Sequence, residues 1–159
     1  MYSQVARRLI KALQIKAFDK AIAEQMALIP NTLTSVNGIG PVYSAGIIAE
    51  IGDISRFPNQ ASLAKYAGLV WSQHQSGDFE AQNTRLIHSG NRYLKYYLCE
   101  AALSLVRCDA EYRSFYHRKY KEVNKYQHKR ALALTARKFV RLVFRLLKDN
   151  CLYRAPESK

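Results

Sequence analysis

The feature that most limits the possible folds of this chain is a break in its helical periodicity. From Leu33 to Asn91 the pattern is punctuated by glycine, proline and short polar runs. The residues before that stretch read as one long helix, and nearly all those after it as a basic helical bundle. The expected fold is therefore mainly all-α, with a glycine hairpin and one irregular loop, or a short hairpin, set between helices. At 159 residues the chain has the size of one ordinary domain with a sizeable core.

Before the break, Ser3 to Leu28 is expected to form a helix capped by Ser3 and ended by Pro30. Val5, Leu9, Leu13, Ala17, Ala21 and Ile22 draw its apolar stripe. Such a helix either covers the core of its own domain or serves as an arm (residues 1–30) that packs on a partner helix. After the break, Asn91 to Arg107 presents Leu94, Leu98, Ala101, Ala102 and Leu105 on one face. Asp109 caps the next helix, with Tyr112, Phe115, Tyr116 and Tyr120 facing inward. Gln127 to Lys148 carries Leu132, Ala136, Phe139, Val140, Val143 and Leu147 inward, and Arg130, Arg137, Lys138, Arg141 and Arg145 along its polar side. Residues 154–159 read as a flexible tail.

Charge is the strongest bulk signal. Lysine and arginine number 25 against 12 acidic residues, a net of +13. Through Gly77 there are 7 basic and 4 acidic residues; from Asp78 onward there are 18 and 8. A cationic C-terminal half points to a polyanionic partner, because neutralising phosphates releases condensed counterions. No apolar run approaches the roughly 18 residues that a membrane span requires, so no membrane partner is expected. Cys99, Cys108 and Cys151 lack metal-ligand spacing and read as reduced thiols of a cytoplasmic protein. His74, His88, His117 and His128 have no ligand spacing either, so no metal site is expected in this chain.

Within the break, Leu33-x-x-Val36-x-Gly38-Ile39-Gly40-Pro41 has the form of a helix-hairpin-helix. There, backbone N–H groups at the start of the second helix hold a phosphate without reading sequence. Gly38 and Gly40 are thus candidate nucleic-acid contacts, although the same pattern also serves as a plain helix turn. From Leu69 to Ser89 no helical period persists, and Val70, Trp71, Phe79, Leu86 and Ile87 are the residues suited to anchor short strands. Ser72, Ser76, Thr84 and Ser89 bring hydroxyls into that segment. By residue type alone Ser76-Gly77 is an ordinary turn pair. Glu50 and Asp53 read as cap and loop groups.

Several segments occur in a telling order: Leu33 to Pro41, Ile48-Ala-Glu-Ile-Gly-Asp-Ile-Ser-Arg-Phe57, Tyr66-Ala-Gly-Leu69, Ser76-Gly77 and Gly90-Asn91-Arg92-Tyr93-Leu94. Phe115-Tyr116 and Ala136-Arg137-Lys138 follow. Together they resemble the C-terminal domain of the insertion-sequence one-ten family of transposases, the DEDD/serine or "bridge" recombinases, over residues 31–153. The resemblance implies that Ser76 is the nucleophile that attacks a DNA phosphodiester. Arg85, Arg92 and Lys95 are then the nearest phosphate-neutralising candidates, with Arg137 and Lys138 further nucleic-acid contacts. It also implies a RuvC-like domain with four acidic residues and magnesium (Mg2+), which this chain lacks, and a structured guide RNA. The chain is accordingly expected to be a fragment or split half, inactive alone, acting as a homo-oligomer in the prokaryotic cytoplasm at the nucleoid. Trp71 stands where the family usually has proline, Asp78-Phe-Glu80 where it is rich in glycine and basic residues, and His88 where lysine is common. Two rival readings are a non-catalytic nucleic-acid-binding module and a helical oligomerisation scaffold.

Overall fold

A computed structural model describes residues 2–71, 75–76, 79–80, 86–87 and 89–155. In chain order the helices are α1 (Tyr2–Ala27), α2 (Pro41–Ile51), α3 (Gln60–Tyr66), α4 (Arg92–Cys108), α5 (Ala110–Lys121) and α6 (Gln127–Lys148). Single 3-10 turns at Leu33–Ser35 and Ile54–Arg56 flank α2. Two short strands, β1 (Gln75–Ser76) and β2 (Phe79–Glu80), stand between α3 and α4. The fold is all-α, as the periodicity implies, with one small antiparallel ladder.

Helix boundaries follow local chemistry. Asn59 and Ser62 form a reciprocal capping box at the start of α3. Asn91 Oδ1 accepts from the N–H groups of Tyr93 and Leu94 and so starts α4. Asp109 ends α4 through its backbone N–H to Leu105 O, and begins α5 by accepting from Tyr112 N–H. The Arg113 guanidinium folds back onto the carbonyls of Val106 and Arg107, satisfying acceptors that the end of α4 leaves free. Ser3 lies inside α1 rather than capping it, since the helix already runs from Tyr2.

The core gathers around α6, which packs against α3, α4 and α5. Phe139, Val140 and Val143 are fully buried there, meeting Leu94, Leu98 and Leu105 of α4 and Leu63 of α3 in one cluster. Burying a side chain the size of Phe139 stabilises by about 2–3 kcal/mol. On α5, Tyr112 and Tyr116 are buried while Tyr120 is exposed, so the inward face is narrower than its aromatic spacing implies. Leu146, rather than Leu147, is the deeply buried residue near the end of α6. Helix α1 differs from the rest. Met26 is buried and Ile22 and Ala23 are half-buried, but Leu9, Leu13 and Phe18 are each more than 60% exposed. Its N-terminal stripe therefore does not cover this chain's core.

Helices α2 and α4 approach closely because Gly46 has no side chain. A Cβ there would sit 2.5 Å from the Tyr97 ring. Ser44, on the same helix, is fully buried and its hydroxyl has no hydrogen-bond partner among the described residues. An unpaired buried hydroxyl costs about 1–3 kcal/mol. Ser44→Ala is therefore expected to leave stability unchanged or raise it by about 1 kcal/mol in urea unfolding, whereas most buried substitutions lower it.

Candidate nucleic-acid and strand-transfer site

The described residues of the irregular segment pair as an antiparallel hairpin. Ile87 N–H donates to Val70 O, Trp71 and Leu86 form an antiparallel bridge, and Gln75 and Ser76 pair with Glu80 and Phe79. Four of the anchors expected from sequence, Val70, Trp71, Leu86 and Ile87, lie at its base. Phe79 is nearer its tip. Ser76 pairs with Phe79, and only Gly77 and Asp78 separate the two in sequence. Arg85, Ser72, Thr84 and His88 lie outside the described residues.

The base of the hairpin is closed by backbone contact. Gly68 (φ +67°) and Gly90 (φ +123°) meet so closely that a Cβ on Gly90 would lie 2.6 Å from Gly68 N and 2.9 Å from Tyr66 O. Only glycine fits both the left-handed conformation and the approach. Next to this contact, Asn91 N–H donates to Tyr66 O. The Asn91 side-chain amide donates to Glu50 Oε2 at 2.7 Å and to the Tyr66 hydroxyl at 3.2 Å. Hydrogen bonds from Asn91 and then Arg56 hold the Tyr66 phenol below the usual tyrosine range. The Arg56 guanidinium stands 4.9 Å from the ring centroids of both Phe57 and Tyr66.

Asn91 thus joins α2, α3 and α4 at the foot of the hairpin. Glu50, which the sequence presents as an ordinary helix-end group, is its partner. Asn91→Ala is expected to lower stability by about 2–3 kcal/mol: about 1 for the lost cap, the rest for Glu50 left without its donor in a half-buried site. Asn91→Asp keeps the cap but sets two carboxylates against each other. Its deficit should shrink as pH falls through the carboxylate range and one of them takes a proton. Urea unfolding at pH 7 and pH 4.5 checks both.

The basic candidates divide by environment. Arg92 is exposed at the start of α4, stacked 4.7 Å over Tyr93 and donating to its hydroxyl. Lys95, one turn on, is half-buried and makes no ion pair among the described residues. Arg137 braces the hairpin base from α6: it donates to Leu69 O at 3.3 Å and lies 5.9 Å from the Trp71 ring centroid. Lys138 is neutralised by Glu111 at 2.6 Å and sits over Tyr112 and Phe115. Lys119 and Arg130 share Glu122, whose carboxyl they hold below the usual range through hydrogen bonds.

In the glycine hairpin the two glycines differ. Gly38 (φ +93°) accepts from Ser104 Oγ at 2.7 Å and packs against Cys108, tying the turn to the end of α4. Gly40 is exposed at the head of α2, where Pro41 fills the first helical position and no side chain caps the end. The element preceding it is a single 3-10 turn, not a full helix. The cysteines are free thiols. Among the described residues no cluster of three or more ligating side chains could hold a metal ion, and no helix is long and apolar enough to cross a membrane.

Comparison with known proteins points the same way as these segments. The chain is 31% identical over 139 residues to an uncharacterized 43.6 kDa protein of insertion element IS110 from Streptomyces coelicolor, covering 87% of this chain and 33% of the relative. It is 33% identical over 78 residues to a probable family 20 transposase from Pseudomonas aeruginosa (49% of this chain, 23% of the relative). It is 27% identical over 159 residues to an uncharacterized 42 kDa protein of insertion element IS900 from Mycobacterium paratuberculosis (94% and 39%). The chain thus spans about a quarter to two fifths of the length of these relatives. The profile of the IS116/IS110/IS902 transposases matches residues 31–117, which contain the glycine hairpin, the braced β-hairpin and all of α4, and this chain belongs to that family.

Proposed function

We propose that this chain is the serine-carrying part of a DNA transposase. Residues 31–153 form the C-terminal domain, residues 1–30 an arm toward the rest of the assembly, and Ser76 attacks a DNA phosphodiester. The observation that carries this reading is the place of Ser76: the last paired position of a hairpin whose base is pinned by Gly68, Gly90, Asn91 and Arg137. A reacting group needs such fixed support, since positioning accounts for much of a catalyst's effect. Arg92 and Lys95, just past the foot of the hairpin, supply positive charge for the phosphate, and Arg85, by its resemblance to the family, is a third candidate.

In the proposed step the Ser76 oxygen forms a bond to phosphorus as the bond to the departing deoxyribose oxygen breaks. The seryl proton goes to a base and the departing oxygen takes up another. The phosphoseryl ester keeps the energy of the broken bond, so a second strand's hydroxyl can reverse the step and rejoin DNA. A serine hydroxyl needs activation at neutral pH, and magnesium held by a RuvC-like acidic domain supplies it in the assembled protein. A guide RNA and further copies of the protein complete that assembly at the nucleoid, in the cytoplasm.

The test is strand exchange by the full-length protein with its RNA and DNA, comparing wild type with Ser76→Ala. Loss of exchange with duplex binding retained supports the reading; retained exchange refutes it. The uncapped head of α2 beside exposed Gly40 favours the rival, a module that only binds phosphate, in which Ser76→Ala is silent.

A further inference from the structure

We propose that the C-terminal half of α6 is a track for single-stranded DNA, in which Arg141, Arg145 and Lys148 hold phosphates and a cleft beside Arg145 takes one unstacked base. This deepens the proposed function and rests on it for the choice of DNA. Spacings of four and three residues place the three cations on one face of the helix. All three are exposed, and none has an ion pair or side-chain hydrogen bond among the described residues. That sets them apart from Lys138, Lys119 and Arg130, whose charges are answered by Glu111 and Glu122. Among the described residues the acidic groups near that end are Asp149, next in sequence, Asp53, which is bonded to Ser55, and Asp109, whose carboxylate stands 3.5 Å from the Tyr153 hydroxyl.

The track has a direction. Arg137 lies on the same face one turn before Arg141, and it holds Leu69 O and Trp71 at the hairpin base. A strand laid along the face from Lys148 covers about 16 Å of helix and arrives at the hairpin that carries Ser76. Beside it, the chain reverses at Asn150 (φ +46°), and Cys151 N–H donates to Leu146 O. The returning tail walls a cleft of about 430 Å³ with Leu142, Leu146, Leu152 and Tyr153, flanked by Arg145 and Arg154. Apolar and aromatic walls with guanidinium groups at the edge suit the face of a base and its phosphate. A base can enter only from an unstacked strand, which selects single-stranded over duplex DNA.

The experiment measures fluorescence anisotropy of a labelled mixed-sequence 12-nucleotide DNA with the 159-residue chain over a salt series. R141Q/R145Q/K148Q should weaken binding by at least about 30-fold and reduce the slope of log K against log salt by about 2, as expected for three phosphates on a single strand. R118Q/K121Q/K125Q, which removes equal charge from another exposed surface, should change affinity by less than about threefold. Leu152→Ala should weaken binding about three- to tenfold with an unchanged slope, because it removes base contact and no charge. Equal loss from both triple variants would reduce the effect to net charge and overturn the track. Tighter binding of RNA or duplex DNA through the same three residues would overturn its assignment to single-stranded DNA. The three track residues are distinct from Ser76. Track failure with covalent chemistry intact therefore sinks the track alone, and the reverse result sinks only the nucleophile.

Discussion

Gly90→Ala is expected to lower the stability of this chain by about 3 kcal/mol and to detach the hairpin from the helical body. Two costs combine. At φ +123° an L side chain is strained by about 1–3 kcal/mol. The new methyl would also meet Gly68 N at 2.6 Å, Gly68 Cα at 2.8 Å and Tyr66 O at 2.9 Å. All three are backbone atoms, so no side chain can swing aside, and the hydrogen bond from Asn91 N–H to Tyr66 O must lengthen or break. Gly40→Ala is the matched control. Its φ of −82° is open to any residue, and an added Cβ meets nothing within 4 Å, so it should stay within about 0.5 kcal/mol of wild type. Urea unfolding decides between them. A Gly90→Ala chain as stable as wild type would show that the base is not pinned by this contact.

That contact marks the boundary of what could be read from the chain. Helix α6 was legible except at its end, where Leu146 replaces Leu147 in the core, because its apolar positions repeat at 3.6 residues and report directly on a packed face. Asn91 and Asp109 were equally plain as helix starts, since capping is local chemistry. Helix α1 shows the limit of periodicity: a stripe says which side is apolar, not what meets it, and Leu9 and Leu13 stay largely exposed among the described residues. The junction of Gly68 with Gly90, the bond from Asn91 to Glu50 and the pairing of Lys138 with Glu111 join residues 22, 41 and 27 positions apart. Each glycine declared its freedom in the sequence, yet nothing in its neighbours announced which backbone it would touch. For the same reason Arg137 and Lys138, adjacent and chemically alike in a sequence reading, have different duties: one braces the hairpin and the other completes a helix–helix ion pair. The hairpin itself was foreshadowed by Val70, Trp71, Phe79, Leu86 and Ile87. The role of Ser76 came from the resemblance alone, because Ser-Gly is first of all a turn.

The other large effect concerns Ser76 itself. Ser76→Ala removes the atom on which the phosphoryl group would reside, and no neighbouring hydroxyl shares its paired position at the hairpin tip. Loss of a nucleophile commonly costs several orders of magnitude in rate, so strand exchange should fall by at least about 1,000-fold. Binding should change little, because phosphate affinity resides in lysine and arginine. A substitution in the pinned base, such as Gly90→Ala, should instead lower stability and exchange together.

The most direct measurement is to trap the covalent intermediate of the full-length protein on a nicked DNA substrate and map the attachment site by mass spectrometry. Trypsin, cutting after Lys65 and Arg85, leaves Tyr66–Arg85, which contains Ser72, Ser76 and Thr84. A nucleotide remnant on Ser76, absent from the Ser76→Ala protein, is the predicted result. A remnant on Ser72, Thr84 or any residue outside that peptide, or an undiminished adduct in Ser76→Ala, would contradict it.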